Sequence, residues 1–246
     1  MDKLLYVAMS GAKETLRAQT ANSHNLANAA TTGFRADLTA FMSRAVVGPG
    51  FDSRVYASTT TLGWDHGAGA LVSTGRDLDI AVNGQGWIAV EDANGNEAYT
   101  RAGDLQVDVN GQLRNGVGRA VLGDSGPINV PPSTSLLIAG DGSLSVVPVG
   151  QGAESVSTVA RIKLVNPEAR QLERGEDGLF RLRDGSTAPP DASVRIGSGV
   201  LESSNVNGAS ALVNMIELSR RFELQIKSIR TAEENARSAA SLLRMS

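Results

Sequence analysis

The sequence predicts an α+β fold, mainly β, in which paired N- and C-terminal helices form a coiled-coil-like assembly domain and a mostly antiparallel β domain is inserted between them. Three observations carry this. All but one of the 27 glycines, and all 8 prolines, fall between Thr31 and Gly208. The two ends are rich in Ala, Leu, Met, Glu, Lys, Arg and Gln, the better helix formers. Each end also repeats apolar residues alternately three and four apart, the spacing of a narrow helical seam. Charge divides the same way: the ends are net basic, and the middle carries the acidity behind the overall charge of -3.

Residues 1–30 form the N-terminal assembly helix, with Leu5, Met9, Ala12, Leu16, Gln19, Ser23 and Leu26 along one stripe. Residues 31–75, with Gly48-Pro49-Gly50 and Gly67-Ala68-Gly69, have weak periodicity and are expected to be an extended linker with short strands. Residues 76–195 form the outer β domain. Its apolar runs at 78–82, 86–90 and 159–165 lie among Asn-Gly pairs at 83, 94, 110, 115 and 207 and Asp-Gly pairs at 141, 177 and 184. Such pairs suit turns that require φ > 0. The intervening stretches leave no room for the helices of a parallel α/β fold. Residues 196–208 return the chain, and 209–246 form the C-terminal helix that packs with the first. Its stripe runs Leu212, Met215, Ser219, Phe222, Ile226, Ile229, Glu233, Ala236, Ala240 and Leu243. Wholly helical, this segment would make a rod of roughly 57 Å at ~1.5 Å per residue, long enough to want partners outside the globule.

Much chemistry is excluded. The 246 residues contain no cysteine and only two histidines, His24 and His66, so thiolate chemistry and a histidine metal cage have no ligands. The net negative charge gives nucleic acid no general reason to bind. The Leu4–Met9 apolar run falls far short of the roughly 20 residues of a membrane span, and Asp2 stands where a secretory signal wants positive charge. No stretch matches a P-loop, and neither Gly84-Gln85-Gly86 nor Gly67-Ala68-Gly69 joins a strand to a helix opening. Asp92-Ala93-Asn94-Gly95 and Asp108-Val109-Asn110-Gly111 lack the bidentate Glu of a calcium loop and are expected to be turns. No Gly-x-Ser-x-Gly elbow accompanies His24 or His66. The expectation is a protein that is not an enzyme and has no catalytic, cofactor-binding or metal residues.

The stretch Asn22-Ser23-His24-Asn25-Leu26-Ala27-Asn28-Ala29-Ala30-Thr31-Thr32-Gly33-Phe34-Arg35 resembles the N-terminal signature of the flagellar axial proteins, the rod and hook subunits. Ser204-Asn205-Val206-Asn207, Leu212-Val213-Asn214-Met215-Ile216 and Arg221-Phe222-Glu223 resemble the matching C-terminal signature. Asp79-Ile80-Ala81-Val82-Asn83-Gly84-Gln85-Gly86-Trp87 and Tyr99-Thr100-Arg101-Ala102-Gly103-Asp104 resemble the family's β-domain motifs. The resemblance covers essentially the whole chain. It departs at His24, where a small or polar residue is expected. The short connection from Gly33 to Arg76, the single outer domain and the ending Leu242-Leu243-Arg244-Met245-Ser246 resemble the proximal-rod members.

The resemblance implies a structural subunit of the bacterial flagellar basal-body rod. Such subunits are exported through the flagellar type III apparatus without a cleaved signal peptide and polymerise through their terminal helices. They carry torque from the membrane ring to the hook across the periplasm. Implied partners are further copies of the chain, other proximal and distal rod proteins, the export apparatus and the rod cap, with no nucleic acid and no direct membrane insertion. The expected assembly interface is Leu5, Met9, Leu16, Leu26, Leu212, Met215, Phe222, Ile226, Ile229 and Leu243. The family signature positions are Asn25, Leu26, Ala27, Asn28, Gly33, Phe34, Ser204, Asn205, Val206 and Asn207. The alternatives are a distal-rod or hook subunit, a non-flagellar β-domain binding module with an intramolecular helix pair, and a hydrolase built on Ser, His and Asp.

Overall fold

The computed structural model describes residues 4–45, 55–148, 150 and 155–244. Helix α1 spans Leu4–Ala27 and is followed by β1 (Asp37–Ala45), β2 (Val55–Trp64), β3 (Leu71–Ser73), β4 (Ile80–Asn83), β5 (Trp87–Glu91), β6 (Glu97–Thr100), β7 (Leu105–Val107), β8 (Leu113–Asn115) and β9 (Leu122–Gly123). The chain continues through β10 (Gly126–Pro127), β11 (Ser133–Ile138), β12 (Ser143–Pro148), β13 (Ser157–Arg161), β14 (Leu164–Val165), β15 (Leu172–Arg174), β16 (Phe180–Leu182), β17 (Arg195–Ser198) and β18 (Val200–Glu202) to α2 (Gly208–Arg244). Every strand pairing among the described residues is antiparallel, as the turn-rich middle predicts.

Two compact units result. The helix–hairpin unit holds Met1–Ala29, Ala36–Asp65 and Val206–Ser246, and the β unit holds Ala30–Arg35 and His66–Asn205. Within the segment expected to be a linker with short strands, β1 and β2 pair over nine and ten residues into a long hairpin. Its Thr and Ser side chains favour extended backbone without supplying the apolar alternation that announces a strand.

The β unit is built round a five-stranded sheet in the order β14-β5-β6-β16-β15. Ile80, Ile88, Val90, Leu105, Leu113, Val121, Leu144 and Ile162 form the centre of its core. The apolar run 159–165 is divided: β13 pairs with β12 while β14 pairs with β5. Between them Ile162 N–H donates to the Gly142 carbonyl and Lys163 N–H to Leu122, so one run serves two sheets. Trp87 packs on Phe180 with ring centroids 4.5 Å apart. The Tyr99 hydroxyl donates to Glu97 and accepts from Ala188 N–H.

The two Asp-x-Asn-Gly stretches are turns closed by their own aspartates. Asp92 Oδ1 accepts from the N–H groups of Asn94 and Asn96, and Asp108 Oδ1 from those of Asn110 and Gln112. Six of the glycines in the Asn-Gly and Asp-Gly pairs have positive φ: Gly84, Gly95, Gly111, Gly142, Gly178 and Gly185. Two pairs behave differently. A Cβ on Gly116 would lie 1.8 Å from Asp104 Oδ2, so that glycine answers a close approach. Asn207-Gly208 opens a helix rather than a turn: Asn207 Oδ1 accepts from Ser210 N–H at 3.0 Å, an N-cap for α2.

Candidate assembly surface

In the helix–hairpin unit α1 and α2 run antiparallel, with Gly11 against the Gln225 side chain and Asn22 Nδ2 donating to the Ala211 carbonyl at 2.8 Å. A Cβ on Gly11 would sit 2.9 Å from Gln225 Cδ. The face that α1 gives to this seam is small: Ala8, Gly11, Ala12, Thr15 and Ala18 are buried. The face that α2 gives is larger, running Ala211, Met215, Leu218, Phe222, Gln225, Ile229 and Ala232, alternately four and three apart. This track shares Met215, Phe222 and Ile229 with the stripe drawn from the sequence, but its other rungs fall one residue earlier. Counting apolar residues favours Leu212 over Ala211, whereas close approach of a small-residue helix favours the alanine, which is buried while Leu212 is 51% exposed.

The hairpin is fastened to α1 by polar side chains three turns apart. Glu14 Oε2 accepts from Thr59 N–H at 2.9 Å, and the Arg17 guanidinium lies 3.0 Å from Oε1. Burial raises the Glu14 carboxyl, but the Thr59 backbone and hydroxyl donors and Arg17 outweigh it and bring the group below the usual range. Asn25 binds the backbone of Asp37 twice, donating from Nδ2 to its carbonyl at 2.9 Å and accepting its N–H at 2.8 Å. His24 Nδ1 stands 2.8 Å from Asp37 Oδ2, which gives the departing histidine a structural task on the same strand. Asn28 closes the helix end, its N–H bonded to the His24 and Asn25 carbonyls and its Nδ2 to His24.

Gly33, Phe34, Ser204 and Asn205 of the signature meet in the β unit. Gly33 has φ +66°, its N–H donates to the Glu202 carbonyl at 2.8 Å, and a Cβ there would lie 2.3 Å from the Arg101 backbone. Only glycine suits both the conformation and the contact. Phe34 is buried beneath the Arg174 guanidinium, 4.3 Å above its ring. Asn205 N–H donates to the Phe34 carbonyl and its Nδ2 to Gly67. Ser204 is buried, and Val206 begins the last segment of the helix–hairpin unit.

A buried ion cluster lies beside them. Glu202 receives Arg35 Nη2 at 2.6 Å on one oxygen and Arg101 Nη1 at 3.0 Å on the other, and also accepts Gly69 N–H. Arg35 reaches the Gly67 carbonyl, and Arg101 the carbonyls of Val82 and Gly84 while its guanidinium sits 5.4 Å from the Trp87 ring. Burial lowers the Arg101 pKa, with Glu202 opposing and Arg35 adding to the shift. The cluster ties the Gly33-Phe34-Arg35 segment, the Tyr99–Asp104 motif and β18 into one knot. Sequence inspection missed Glu202 and Glu14, because each works on residues distant in the chain and neither belongs to a periodic pattern.

The ten expected interface residues are not one contiguous seam within the chain. Met215, Phe222, Ile226, Ile229, Leu5 and Leu26 are half-buried. Met9 and Leu16 are 51% and 47% exposed, and Leu212 projects outward. The side chain of Leu243 lies outside the described residues. Large apolar residues not singled out are exposed on the same unit: Tyr6 on α1, Leu38, Phe41 and Met42 on β1, and Val213, Ile216 and Leu224 on α2. Tyr6, Met9 and Leu16 share one face of α1 at spacings of three and seven, a signal present in the sequence but masked by the stronger-looking stripe through Leu5. No described helix is long and apolar enough to cross a membrane.

The protein is thus a long antiparallel helix pair with exposed apolar faces together with a compact β unit. The comparisons agree. The model described as "Flagella basal body rod protein" matches residues 5–35, the FlgE/F/G D1 domain model matches 81–146, and the FlgEFG C-terminal model matches 198–242. The chain is 42% identical over 252 residues to flagellar basal-body rod protein FlgF of Escherichia coli, covering 100% of both chains. It is equally similar to FlgF of Salmonella typhimurium, and 32% identical to FlgF of Caulobacter vibrioides over 99% of this chain and 98% of the relative. The chain belongs to the flagellar basal-body rod protein FlgF family. Its role is that of a structural subunit of the rod in the flagellar basal body.

Proposed function

We propose that this subunit stands in the proximal rod, crosses the periplasm there with its neighbours, and polymerises through its terminal helices to pass torque from the membrane ring to the hook. It performs no catalysis. Its partners are further copies, other proximal and distal rod proteins and, in transit, the type III export apparatus and the rod cap; it leaves the cell without a cleaved signal peptide. The observation that carries this is the apolar surface of the helix–hairpin unit, where Tyr6, Met9, Leu16, Leu212, Val213 and Ile216 are exposed while α1 gives the seam beside them only small side chains. Each such Leu, Ile or Met buried against a neighbour contributes roughly 1.5–3 kcal/mol, and head-to-tail contacts extend without closing. Leu5, Leu26, Met215, Phe222, Ile226 and Ile229 complete the interface by fixing the helix pair on which that surface stands, and Leu243 belongs to the same proposed interface.

Before assembly the helices bury little surface against the ~1–2 kcal/mol of backbone entropy each residue costs, so folding of the ends is coupled to assembly. Electron microscopy of basal bodies from a strain lacking the gene tests the placement. Rings without a completed rod support it. A complete rod lacking only its hook would make the chain a hook-type subunit, and intact flagella would overturn the rod role. Phe222→Asp or Ile226→Asp is expected to abolish motility while the β unit of the purified protein melts as before.

A further inference from the structure

Asp79 and Asp104 form an antiparallel bridge between the turn that leads into β4 and the residues that lead into β7. The bonds on either side fix its geometry: Ile80 N–H donates to the Gly103 carbonyl at 2.9 Å, and Leu105 N–H to the Leu78 carbonyl at 3.2 Å. The aspartates are therefore a non-hydrogen-bonded pair, the kind whose Cα atoms stand about 4.5 Å apart and whose side chains face each other most closely. Like charges so placed repel. The Asp79 side chain is 2% exposed, and the Oδ1 atoms of both residues are buried without a hydrogen-bond donor.

The surroundings do not supply the missing donors. Gly116 N–H, from the turn after β8, bonds the Asp104 carboxyl, and a Cβ on that glycine would stand 1.8 Å from Asp104 Oδ2. Arg76 Nη1 lies 3.3 Å from Asp79 Oδ1 as an ion pair, not as a hydrogen bond, and its Nη2 is committed to the Leu105 carbonyl. The Arg76 side chain is 59% exposed, so a well-solvated cation faces two carboxyls. Asp77, exposed in the same turn, adds a further negative charge. The β17–β18 turn contributes neutral donors to backbone oxygens, Ser198 Oγ to the Asp77 carbonyl and Gly199 N–H to the Asp79 carbonyl.

Ionised carboxylates can only accept hydrogen bonds, whereas a protonated carboxyl donates. Two facing acceptors that both lack a donor are satisfied together by one proton placed between them. We propose that Asp79 and Asp104 share one proton in a hydrogen bond between their Oδ1 atoms, and that this proton is a latch joining the start of β4 to the start of β7, released as pH rises. On release the proton passes to solvent and leaves two carboxylates facing one guanidinium. Burial pushes the Asp104 carboxyl up against its own backbone and Gly116 donors, and Asp79 pushes the same way. The folded chain thus keeps a proton that the unfolded chain has lost. The latch's contribution to stability therefore falls as pH rises from the ordinary aspartate range to the point of release.

Carboxyl-carbon NMR of the full-length protein, with its aspartates labelled and assigned through the backbone, tests this without any substitution. The Asp104 resonance is expected to finish titrating above the ordinary aspartate range, and the Asp79 resonance to respond at the same pH. An Asp104 resonance that finishes within or below that range, or an Asp79 resonance that ignores the Asp104 step, overturns the shared proton. Asp104→Asn keeps a donor facing Asp79 and removes the titration. It is expected to abolish the step at Asp79 and, at pH above it, to slow amide exchange at Ile80 and Leu105 about fivefold relative to the native chain. Asp79→Asn is expected to abolish the raised step at Asp104, so the reading does not depend on the folding of one variant. A raised step that persists in a folded variant overturns the proposal, as does exchange at Ile80 and Leu105 no slower than in the native chain.

Discussion

The β unit buries its large side chains and the helix–hairpin unit displays them. Ile88, Leu113 and Leu144 in the first are fully inaccessible, whereas Tyr6, Phe41, Leu212 and Ile216 in the second are open to solvent. The two are made of ordinary amounts of apolar residue; what differs is where the matching surface lies. The β unit carries both sides of its core in one continuous stretch of chain, 66–205, joined by the short segment 30–35. The helix–hairpin unit carries one side, and polar clamps at Glu14, Asn22 and Asn25 hold it in shape with little apolar burial.

Glu202→Gln is the severest test of the β unit's self-sufficiency. It strips the charge that offsets two buried guanidiniums, and a loss of about 3–5 kcal/mol is expected, read as the midpoint of urea unfolding. An unchanged midpoint would mean that the cluster is not buried as described. Next comes a direct contrast between the units. Leu113→Ala is expected to cost the β unit about 2–5 kcal/mol, whereas Leu212→Ala should move the purified protein's unfolding by less than about 0.5 kcal/mol and show itself in motility. Equal thermodynamic losses would erase the distinction between them.

Acid provides a third test. Burial raises Asp92, but the N–H groups of Asn96 and Asn94 and the Arg181 guanidinium at 2.9 Å hold it down at about 2, from an ordinary 3.8. A depressed carboxyl gives stability that is complete above its unfolded value and lost as pH falls through the folded one. The Asp92 contribution to the stability of the β unit should therefore be flat above about pH 4 and fall by about 2 kcal/mol towards pH 2, on top of losses from Asp108, Asp141, Asp177, Asp184 and Asp191, whose carboxyls are also held low. Asp92→Asn should remove that contribution, and a mutant that loses as much stability between pH 4 and pH 2 as the native protein would contradict the assignment. Asp104 is opposite in sign: burial pushes its carboxyl up, with Asp79 adding to the shift and Gly116 N–H opposing it. A local effect is expected at Asn25→Ala, which removes two backbone bonds to Asp37 and should loosen the hairpin by about 1–2 kcal/mol, seen as faster amide exchange in β1 of assembled rods.

The sequence revealed these regions unequally, for physical reasons. The division into breaker-free ends and a glycine-rich middle follows from local propensity, and it located both helices and the antiparallel unit between them. Turn chemistry at Asp92–Gly95 and Asp108–Gly111 was equally readable because an aspartate closing its own turn acts over four residues. Strand partners were not readable: nothing in 159–165 says that Arg161 belongs to one sheet and Leu164 to another. The α2 seam was legible to within one residue, since periodicity gives a stripe's pitch, while the choice of Ala211 and Ala232 over Leu212 and Glu233 depends on the small face of α1. The knot at Glu202 was invisible, because residues 35, 101 and 202 meet only after the chain has folded.

Hydrogen exchange of the purified monomer, resolved by residue, tests most directly whether the helix–hairpin unit is completed by its neighbours. The account predicts slow exchange through β5, β6 and β14 together with fast exchange along α1 and α2, and protection of both helices only in assembled rods. Helices as protected in the isolated monomer as the β unit would contradict it.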